Sequence, residues 1–427
     1  MISKEHWLEI IKDWNKKEFP VILNREVSIP FEMKINRAFS LIGPRRAGKT
    51  FELLLIAKKV SEKFGRDKTL YVNFERADLG SLSYKDLVSM LDSYYELFPD
   101  NFNKKIWFFL DEIQNVEKWE IFVRTCIDKG IKVFISGSSS KLLSKEIATS
   151  MRGRNLSYTI FPLSFREFLE FRGFKEQKAY SSDEKAKLLN YLEEYLNYGG
   201  YPETALFPRE KERILKDIFD TAVLKDVLER HKIRNSTLMK NLIRALITAK
   251  EFSVNRFYNY LKSQQIKSSK DSLYNYLDYL QDAFFVFTLR KFSLSYKKSE
   301  QSLPKIYFID NGLLRINGID DKRRLMENLV FIELLRTNKD VSYYQNASNE
   351  EVDFVIKDGK KVKQLIQVCY NTENFMTKDR EVKPLIKASY EFRCKDLLVI
   401  TKEEEKEEKV DGKKIKFVPM WKWLLKR

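Results

Sequence analysis

Along the chain, short runs of consecutive apolar residues alternate with longer stretches in which apolar residues return every three or four positions. The runs "RAFSLI" (37–42), "TLYVNF" (69–74), "IWFFLD" (106–111), "IKVFIS" (131–136) and "LSYTIF" (156–161) have the length and continuity of strands buried on both faces. Between them lie stretches with helical spacing, the first being "TFELLLIAKKVSEKF" (50–64). Strands alternating with helices predict an α/β fold with a parallel sheet and right-handed crossovers, in which ligands meet the carboxyl ends of the strands.

From about residue 164 the pattern turns helical. "SFREFLEFRGF", "EKAKLLNYLEEYLNYGGYP" and "KERILKDIFDTAVLKDVLERHKI" predict a run of helices. Three further helical segments, "TLMKNLIRALITA", "SVNRFYNYLKSQ" and "SKDSLYNYLDYLQDA", precede strand-like "FFVFTLRKF" and "KIYFID", which is the order and length of a winged helix-turn-helix. The remainder reads as a helix ("RRLMENLVFIELLRT"), three strands ("VSYYQN", "EVDFVIKDG", "KQLIQVCYN"), a helix over about 378–389, a strand ("DLLVIT") and a final "IKFVPMWKWLL". That pattern predicts a separate α/β unit. The expected domains are therefore 1–163, 164–235, 236–310 and 320–427.

Composition changes this picture in two ways. With 427 residues, 43% of them hydrophobic, the chain can bury more than one core, and no run of about 18 apolar residues suits a membrane span. The amphipathic start, "MISKEHWLEIIKDWNKKEF", lacks the apolar core of a signal peptide, so a cytoplasmic protein without a membrane partner is expected. Cys126, Cys369 and Cys394 lie far apart, and His6 and His231 are the only histidines, which sets aside a disulfide framework and structural zinc. The formal net charge of +17 makes nucleic acid the first class of partner to consider and a membrane surface the second. A heat-adapted surface rich in ion pairs would contribute part of this charge. "KEEEKEEK" (402–409) reads as a solvated loop or frayed helix without a function.

The chemistry concentrates at "GPRRAGKT". Gly43, Gly48, Lys49 and Thr50 satisfy GxxxxGK[ST] between a strand and a helix, with Pro44, Arg45, Arg46 and Ala47 inside the loop and Phe51 just after it. Backbone N–H groups and the helix N-terminus then hold phosphates, Lys49 neutralises β/γ charge, and Thr50 offers a hydroxyl to Mg²⁺. "IWFFLDE" delivers Asp111 to hold the same cation and Glu112 to orient and deprotonate a water. Ser136 and Ser138, at the end of the fourth strand, are candidates for sensing the γ-phosphate or the attacking water. Arg152 and Arg154 are candidates for an arginine finger supplied to a neighbouring subunit.

Together with "LNRE" (23–26), "LDEIQNVEKWE", "ISGSSSKLLS", "RGRNLSYTIFPLSFREFLEF", "GGYPE" and "DVLERHKIRN", these motifs resemble, in order and over nearly the whole chain, the archaeal and bacterial P-loop ATPases of the AAA+/STAND neighbourhood. The resemblance is closest to the archaeal group with a C-terminal restriction-endonuclease-like domain. It implies an AAA+-like parallel sheet, a helical lid, a winged helix and a nuclease-like α/β domain, with ATP and Mg²⁺ as cofactors. It also implies that Tyr201 and Pro202 meet the adenine from the lid side. Such loops commonly carry Arg-Arg, so Arg45 and Arg46 would add charge near the triphosphate or face a neighbouring subunit.

The helix opening "KSSKDSLYNY" offers Lys267, Lys270, Ser268, Ser269, Ser272 and Asn275 to phosphates or base edges, with Tyr274, Leu277, Leu280 and Phe284 at core spacing. The last domain resembles a PD-(D/E)xK nuclease core in Glu327 and Asp353, but Gln367 and Cys369 stand where Glu and Lys are expected. Lys360, Lys361 and Lys363 are the nearby candidates for a displaced lysine, and the domain reads as a degenerate, binding-only module. The expected function is an Mg-dependent ATPase, a homo-oligomer, that couples ATP binding and hydrolysis to binding or remodelling of duplex or branched DNA. The rivals are a nucleotide-gated protein-interaction switch and an ATP-dependent DNA nuclease.

Overall fold

A computed structural model describes residues 2–138, 151, 153–293, 295–371 and 375–426. It divides into two compact units, one of residues 1–161 with 282–284 and one of residues 162–281 with 285–427. Among the described residues no helix is long and apolar enough to cross a membrane.

The first unit is built on five parallel strands, β1 (Ala38–Ile42), β2 (Thr69–Asn73), β3 (Trp107–Asp111), β4 (Lys132–Gly137) and β5 (Asn155–Thr159), ordered β2-β3-β4-β1-β5. Every residue of β1 and β3 is buried, as their unbroken apolar runs require of strands covered on both faces. Phe39, Phe134 and Phe109 stack across β1, β4 and β3 with ring centroids 4.7 and 5.2 Å apart, fixing the register of the three central strands. The covering helices are α1 (Lys4–Lys16), α2 (Lys49–Phe64), α3 (Tyr84–Leu97) and α4 (Trp119–Asp128). Helix α3 starts at a Ser83/Asp86 capping box, which satisfies two of its orphan amides. Because β1 lies beside β4, and β4 beside β3, the loops after these three strands open on one edge of the sheet.

The second unit opens with α5 (Phe165–Phe171) and α6 (Ser182–Tyr198), each started by a Ser/Glu capping box. The single helix expected over 211–233 is instead an α-helix, Lys211–Thr221, that widens into a π-helix over Ala222–Glu229. The amides of Arg230 and Ile233 reach back five residues, to the carbonyls of Lys225 and Leu228. Periodicity could not show this, because a π turn admits one extra residue without breaking the apolar stripe. Helices α7 (Ser236–Thr248), α8 (Val254–Ser263) and α9 (Lys270–Asp282) then lead to an antiparallel pair, β6 (Val286–Leu289) and β7 (Lys305–Phe308). On α9, Leu273, Leu277 and Leu280 are buried while Tyr274 is half-exposed, so Leu273 takes the core position expected of the tyrosine.

After α10 (Lys322–Arg336) comes a six-stranded mixed sheet: β8 (Asp340–Gln345), β9 (Glu351–Asp358), β10 (Lys361–Cys369), β11 (Leu397–Thr401), β12 (Lys406–Val410) and β13 (Lys413–Pro419), ordered β8-β9-β10-β11-β13-β12. Helix α11 (Phe375–Glu391) connects β10 to β11, and its Leu385 shares a core with Val355, Leu365, Val399 and Phe417 of the sheet. The charged run 402–409 is loop only in its first half, and its second half is the edge strand β12. Its glutamates and lysines suit that place: Glu407 pairs with Lys414 on β13, and the charges discourage another strand from joining the edge.

One tight crossing organises the second unit. Gly199 has φ +71°, and a Cβ there would sit 1.7 Å from the Asp310 carboxylate; a Cβ on Gly200 would sit 2.3 Å from the Leu163 carbonyl oxygen. The Asp310 carboxylate accepts from the amides of Gly200 (2.7 Å) and Gly312 (2.8 Å) in a buried setting. Burial, opposed by these two amides, pushes its pKa up to about 7. The native state therefore holds a proton that the unfolded carboxyl releases near pH 4, so this group's contribution to stability is lost as pH rises from about 4 to 7. We expect the thermal midpoint to fall over that range and the fall to be smaller in Asp310→Asn; equal pH slopes in calorimetric scans of the two proteins would contradict it.

Candidate functional sites

The loop between β1 and α2 has the shape its glycines permit. Gly43 has φ +150°, and a Cβ on it would meet the Ile160 carbonyl oxygen at 2.1 Å, so the loop passes too close to the exit of β5 for any other residue. Gly48 caps α2 in the left-handed region at φ 99° and provides no side chain to the first-turn amides. A helix start with uncapped amides is an anion site in waiting. Lys49 is buried, its Nζ donating to the carbonyls of Gly43 (3.2 Å) and Pro44 (3.0 Å) and lying 3.9 Å from Glu112 Oε1. From below, Arg25 of "LNRE" donates to the Ala47 carbonyl (2.9 Å) and to that of Phe161 (2.8 Å), tying the loop to the end of the sheet.

Asp111, at the end of β3, is buried and collects donors from three neighbouring elements. Its Oδ2 accepts from Thr50 Oγ1 on α2 (2.8 Å), from the Tyr71 hydroxyl (2.8 Å) and from Asn73 Nδ2 (3.4 Å), both on β2. Its Oδ1 accepts from Ser136 on β4. Burial pushes the carboxyl up, Ser136 opposes this, and the charge of Glu112 adds to it. The residue after it, Glu112, takes a left-handed backbone (φ 51°), donates its amide to Ser136 Oγ (3.0 Å) and accepts from Gln114 on Oε2. The side-chain oxygen of Gln114, Oε1, is buried without a hydrogen-bond partner among the described residues.

These residues fit a nucleoside triphosphate and a hard cation: uncapped amides and an ammonium for phosphate, a hydroxyl and a carboxylate in contact for the metal. Ser136 differs from expectation. Its hydroxyl is used in orienting Asp111 and Glu112 rather than aimed at a phosphate, because a buried carboxylate has first claim on a neighbouring donor. Ser138 is buried beside it. Tyr71, Asn73 and Gln114 are the parts that motif reading missed; their only signal is position, at the end of the strand next to β3 and two residues after Glu112.

The remaining expected residues scatter. Arg45 forks onto Glu75 Oε1 (3.1 and 3.0 Å), Arg46 is exposed with φ 62°, and Phe51 is half-exposed on α2. Arg154 pairs with Asp128 just before β5, at the amino edge of the sheet, about 15 Å along the strands from its own phosphate loop. Arg152 lies outside the described residues. In the second unit the Tyr201 ring is buried, leaving no open face for a purine, and Pro202 begins a short helix. Lys267, Lys270 and Asn275 are exposed at the start of α9 and along it.

The second unit holds a pocket of about 340 Å³ over β9 and β10. Glu327 on α10, with Asp353 and Gln367 on adjacent strands, line it together. The lysine does not come from 360–363: Lys361 starts β10 at the far turn, opposite Asp358, about 17 Å along the strand from Asp353, and Lys363 pairs with Asp358 (3.3 Å). The ammonium in this pocket is instead that of Lys305 on β7, which is buried and places Nζ 2.8 Å from Glu327, 2.6 Å from Glu351 and 3.4 Å from Asp353. Burial disfavours that ammonium, but Glu327, Asp353 and Glu351 outweigh it and hold the charge. Glu327 is kept ionised by Lys305 despite burial, whereas burial and the charge of Glu327 push Asp353 up. Cys369 is a buried thiol donating to the Asn371 carbonyl, its pKa pushed up to about 11 by burial.

Comparison with known proteins agrees with the first unit's geometry. Residues 35–169 match the model of an AAA domain, and residues 189–323 and 322–423 match two domains of unknown function, DUF8612 and DUF4143. The solved structure of the Aeropyrum pernix ORC1 protein in complex with DNA covers 78% of this chain and 93% of its own at 13% identity, with a TM-score of 0.31, too low to argue from. An uncharacterized protein of Haemophilus influenzae is 29% identical over 432 residues, 99% of this chain and 98% of its own. The uncharacterized protein MJ1544 of Methanocaldococcus jannaschii is 41% identical over 418 residues, 95% of this chain and 91% of that protein. Identity at this level along almost the entire length, on top of a phosphate loop set in an AAA domain, makes the chain a member of the same P-loop ATPase family as MJ1544.

Proposed function

We propose that the chain is a Mg²⁺-dependent ATP hydrolase that couples its nucleotide cycle to binding or remodelling of DNA. The supporting observation is the convergence at Asp111 and Glu112, where the Thr50 hydroxyl, the Lys49 ammonium and two carboxylates meet at the end of one strand. Bound Mg²⁺ would supply charge neutralisation to the phosphates, with Thr50 and Asp111 holding it. Lys49 then leaves the carbonyls of Gly43 and Pro44 for the phosphate oxygens. That move also takes its charge away from Glu112 Oε1, which becomes free to accept a proton from water, while Gln114 steadies Oε2.

The DNA half of the proposal rests on the +17 charge and on α7 to α9 with the β6–β7 pair, read as a winged helix with α9 as its recognition helix. Lys267 and Lys270 would meet phosphates and Asn275 a base edge. The C-terminal unit, read as a nuclease-like core, would add contacts without cleavage. Arg154 acting on a neighbouring subunit would make a homo-oligomer the active form. One observation favours the interaction-switch alternative: Asp271 and Asp278 share the exposed side of α9 with Tyr274 and Asn275, an unfavourable lining for a DNA groove.

Lys49→Ala should weaken ATP binding by about 100-fold or more in a fluorescent-nucleotide titration, since a charge-assisted contact to phosphate is lost. Wild-type affinity in that variant would refute the site. Glu112→Gln should still bind ATP but hydrolyse it about 10²–10⁴-fold more slowly. Gly43→Ala, judged against the unobstructed control Gly130→Ala, should lose nucleotide binding; equal binding by both would contradict the close approach to Ile160. Duplex or branched DNA should stimulate wild-type turnover, and the stimulation should shrink as salt rises from low to moderate. Turnover indifferent to DNA at every salt would favour the interaction switch.

A further inference from the structure

The pocket over β9 and β10 contains the makings of a divalent-cation site and, at its centre, a cation that the chain supplies itself. Three carboxylates, from α10 (Glu327) and β9 (Glu351 and Asp353), surround the Lys305 ammonium at 2.8, 2.6 and 3.4 Å. The Tyr307 hydroxyl donates to the same Glu327 oxygen (2.8 Å), and Asp353 is anchored on its other side by the Val368 amide (2.9 Å). Gln367 accepts from the Asp353 amide (3.2 Å) and donates to Glu381 (2.6 Å), so the neutral side chain where a glutamate is expected is fully engaged. Among the described residues no three His, Cys, Asp or Glu side chains stand close enough together to hold a metal.

We infer that the Lys305 ammonium occupies the position of the metal ion in a nuclease-like centre, so that the C-terminal unit of the wild-type protein binds no divalent cation and cannot cleave a phosphodiester. The inference deepens the reading above, in that it takes this unit as nuclease-like. Three features carry it. The ammonium comes from β7, an element outside the β9–β10 pair, and its stem is buried, so it is built into the core rather than swung in from the rim. A lysine that assists a metal would stand beside the cation, whereas Lys305 lies inside the ring of carboxylates that would ligate it. Gln367, standing where a carboxylate is expected, brings no charge to the ring, and its amide is already engaged by the Asp353 backbone and by Glu381.

Removing the ammonium should therefore expose a latent site. The oxygens lie 2.6–3.4 Å from Nζ, and Mn²⁺ or Mg²⁺ with ligands near 2.1 Å requires them to close in by roughly 1 Å, within reach of a glutamate such as Glu351 at the pocket's mouth. Mn²⁺ is titrated into the full-length, nucleotide-free protein and bound metal is counted by electron paramagnetic resonance. Wild type should show no ion that depends on Asp353. Lys305→Ala and Lys305→Met, the second keeping the packing of the stem, should each gain one ion, bound about tenfold or more tighter than any wild-type binding and lost again on adding Asp353→Asn. Mn²⁺ should also raise the thermal midpoint of the lysine variants and not that of wild type.

Folded lysine variants that gain no ion would overturn the inference. So would a wild-type ion, or Mn²⁺-dependent nicking of supercoiled DNA by wild type, that disappears in Asp353→Asn; this arm decides the matter even if both lysine variants fail to fold. None of these readouts uses ATP turnover, so failure of DNA-stimulated hydrolysis with the metal result intact removes only the coupling to DNA.

Discussion

The Asp111 carboxylate is the interaction on which the first unit depends. A buried carboxylate must be hydrogen-bonded or protonated, and here Thr50, Tyr71, Asn73 and Ser136 supply the bonds. These partners come from the helix after the phosphate loop and from the strands on either side of β3. One acidic group therefore fixes the helix start, two strand ends and, through Ser136, the backbone of Glu112. The strain of a left-handed glutamate persists because this network determines its position several times over.

Much of this was legible in the residues. The phosphate loop is recognisable because it is a backbone structure: Gly43 and Gly48 are required by close approach and by φ, and no other residue types meet those demands. The five strands are legible because burial on both faces leaves unbroken apolar runs. The partners of Asp111 were not, since Tyr71 and Asn73 look like ordinary strand residues until the order of the sheet places β2 next to β3. β12 was hidden for the opposite reason: its charges read as solvation, yet an exposed edge is a place where charges belong.

Lys305 shows the same limit in sharper form. Its partners Glu327, Glu351 and Asp353 lie far along the chain, on a helix and a strand, with no spacing that marks them as one group. A search for a displaced lysine naturally turns to the lysines beside the gap, and those sit at the wrong end of the hairpin. Fold, and not proximity in the chain, decides which ammonium meets the carboxylates. The double glycine at 199–200 is the reverse case: easily seen, and explained here by the Asp310 carboxylate and the Leu163 carbonyl that crowd it.

The strand order also bears on how the protein is made. β1, which leads into the phosphate loop, pairs with β4 and β5, the last two strands of its sheet to leave the ribosome, and Ala38 waits for Asn155. Gly43 takes its place against Ile160, at the very end of that stretch. During synthesis the loop therefore stays without its walls until nearly the whole first unit has emerged, and such non-local pairing forms late. A ribosome stalled before residue 155 would carry helices and strands but no nucleotide cradle, so the nascent chain gains its ligand only when the domain that must use it is complete.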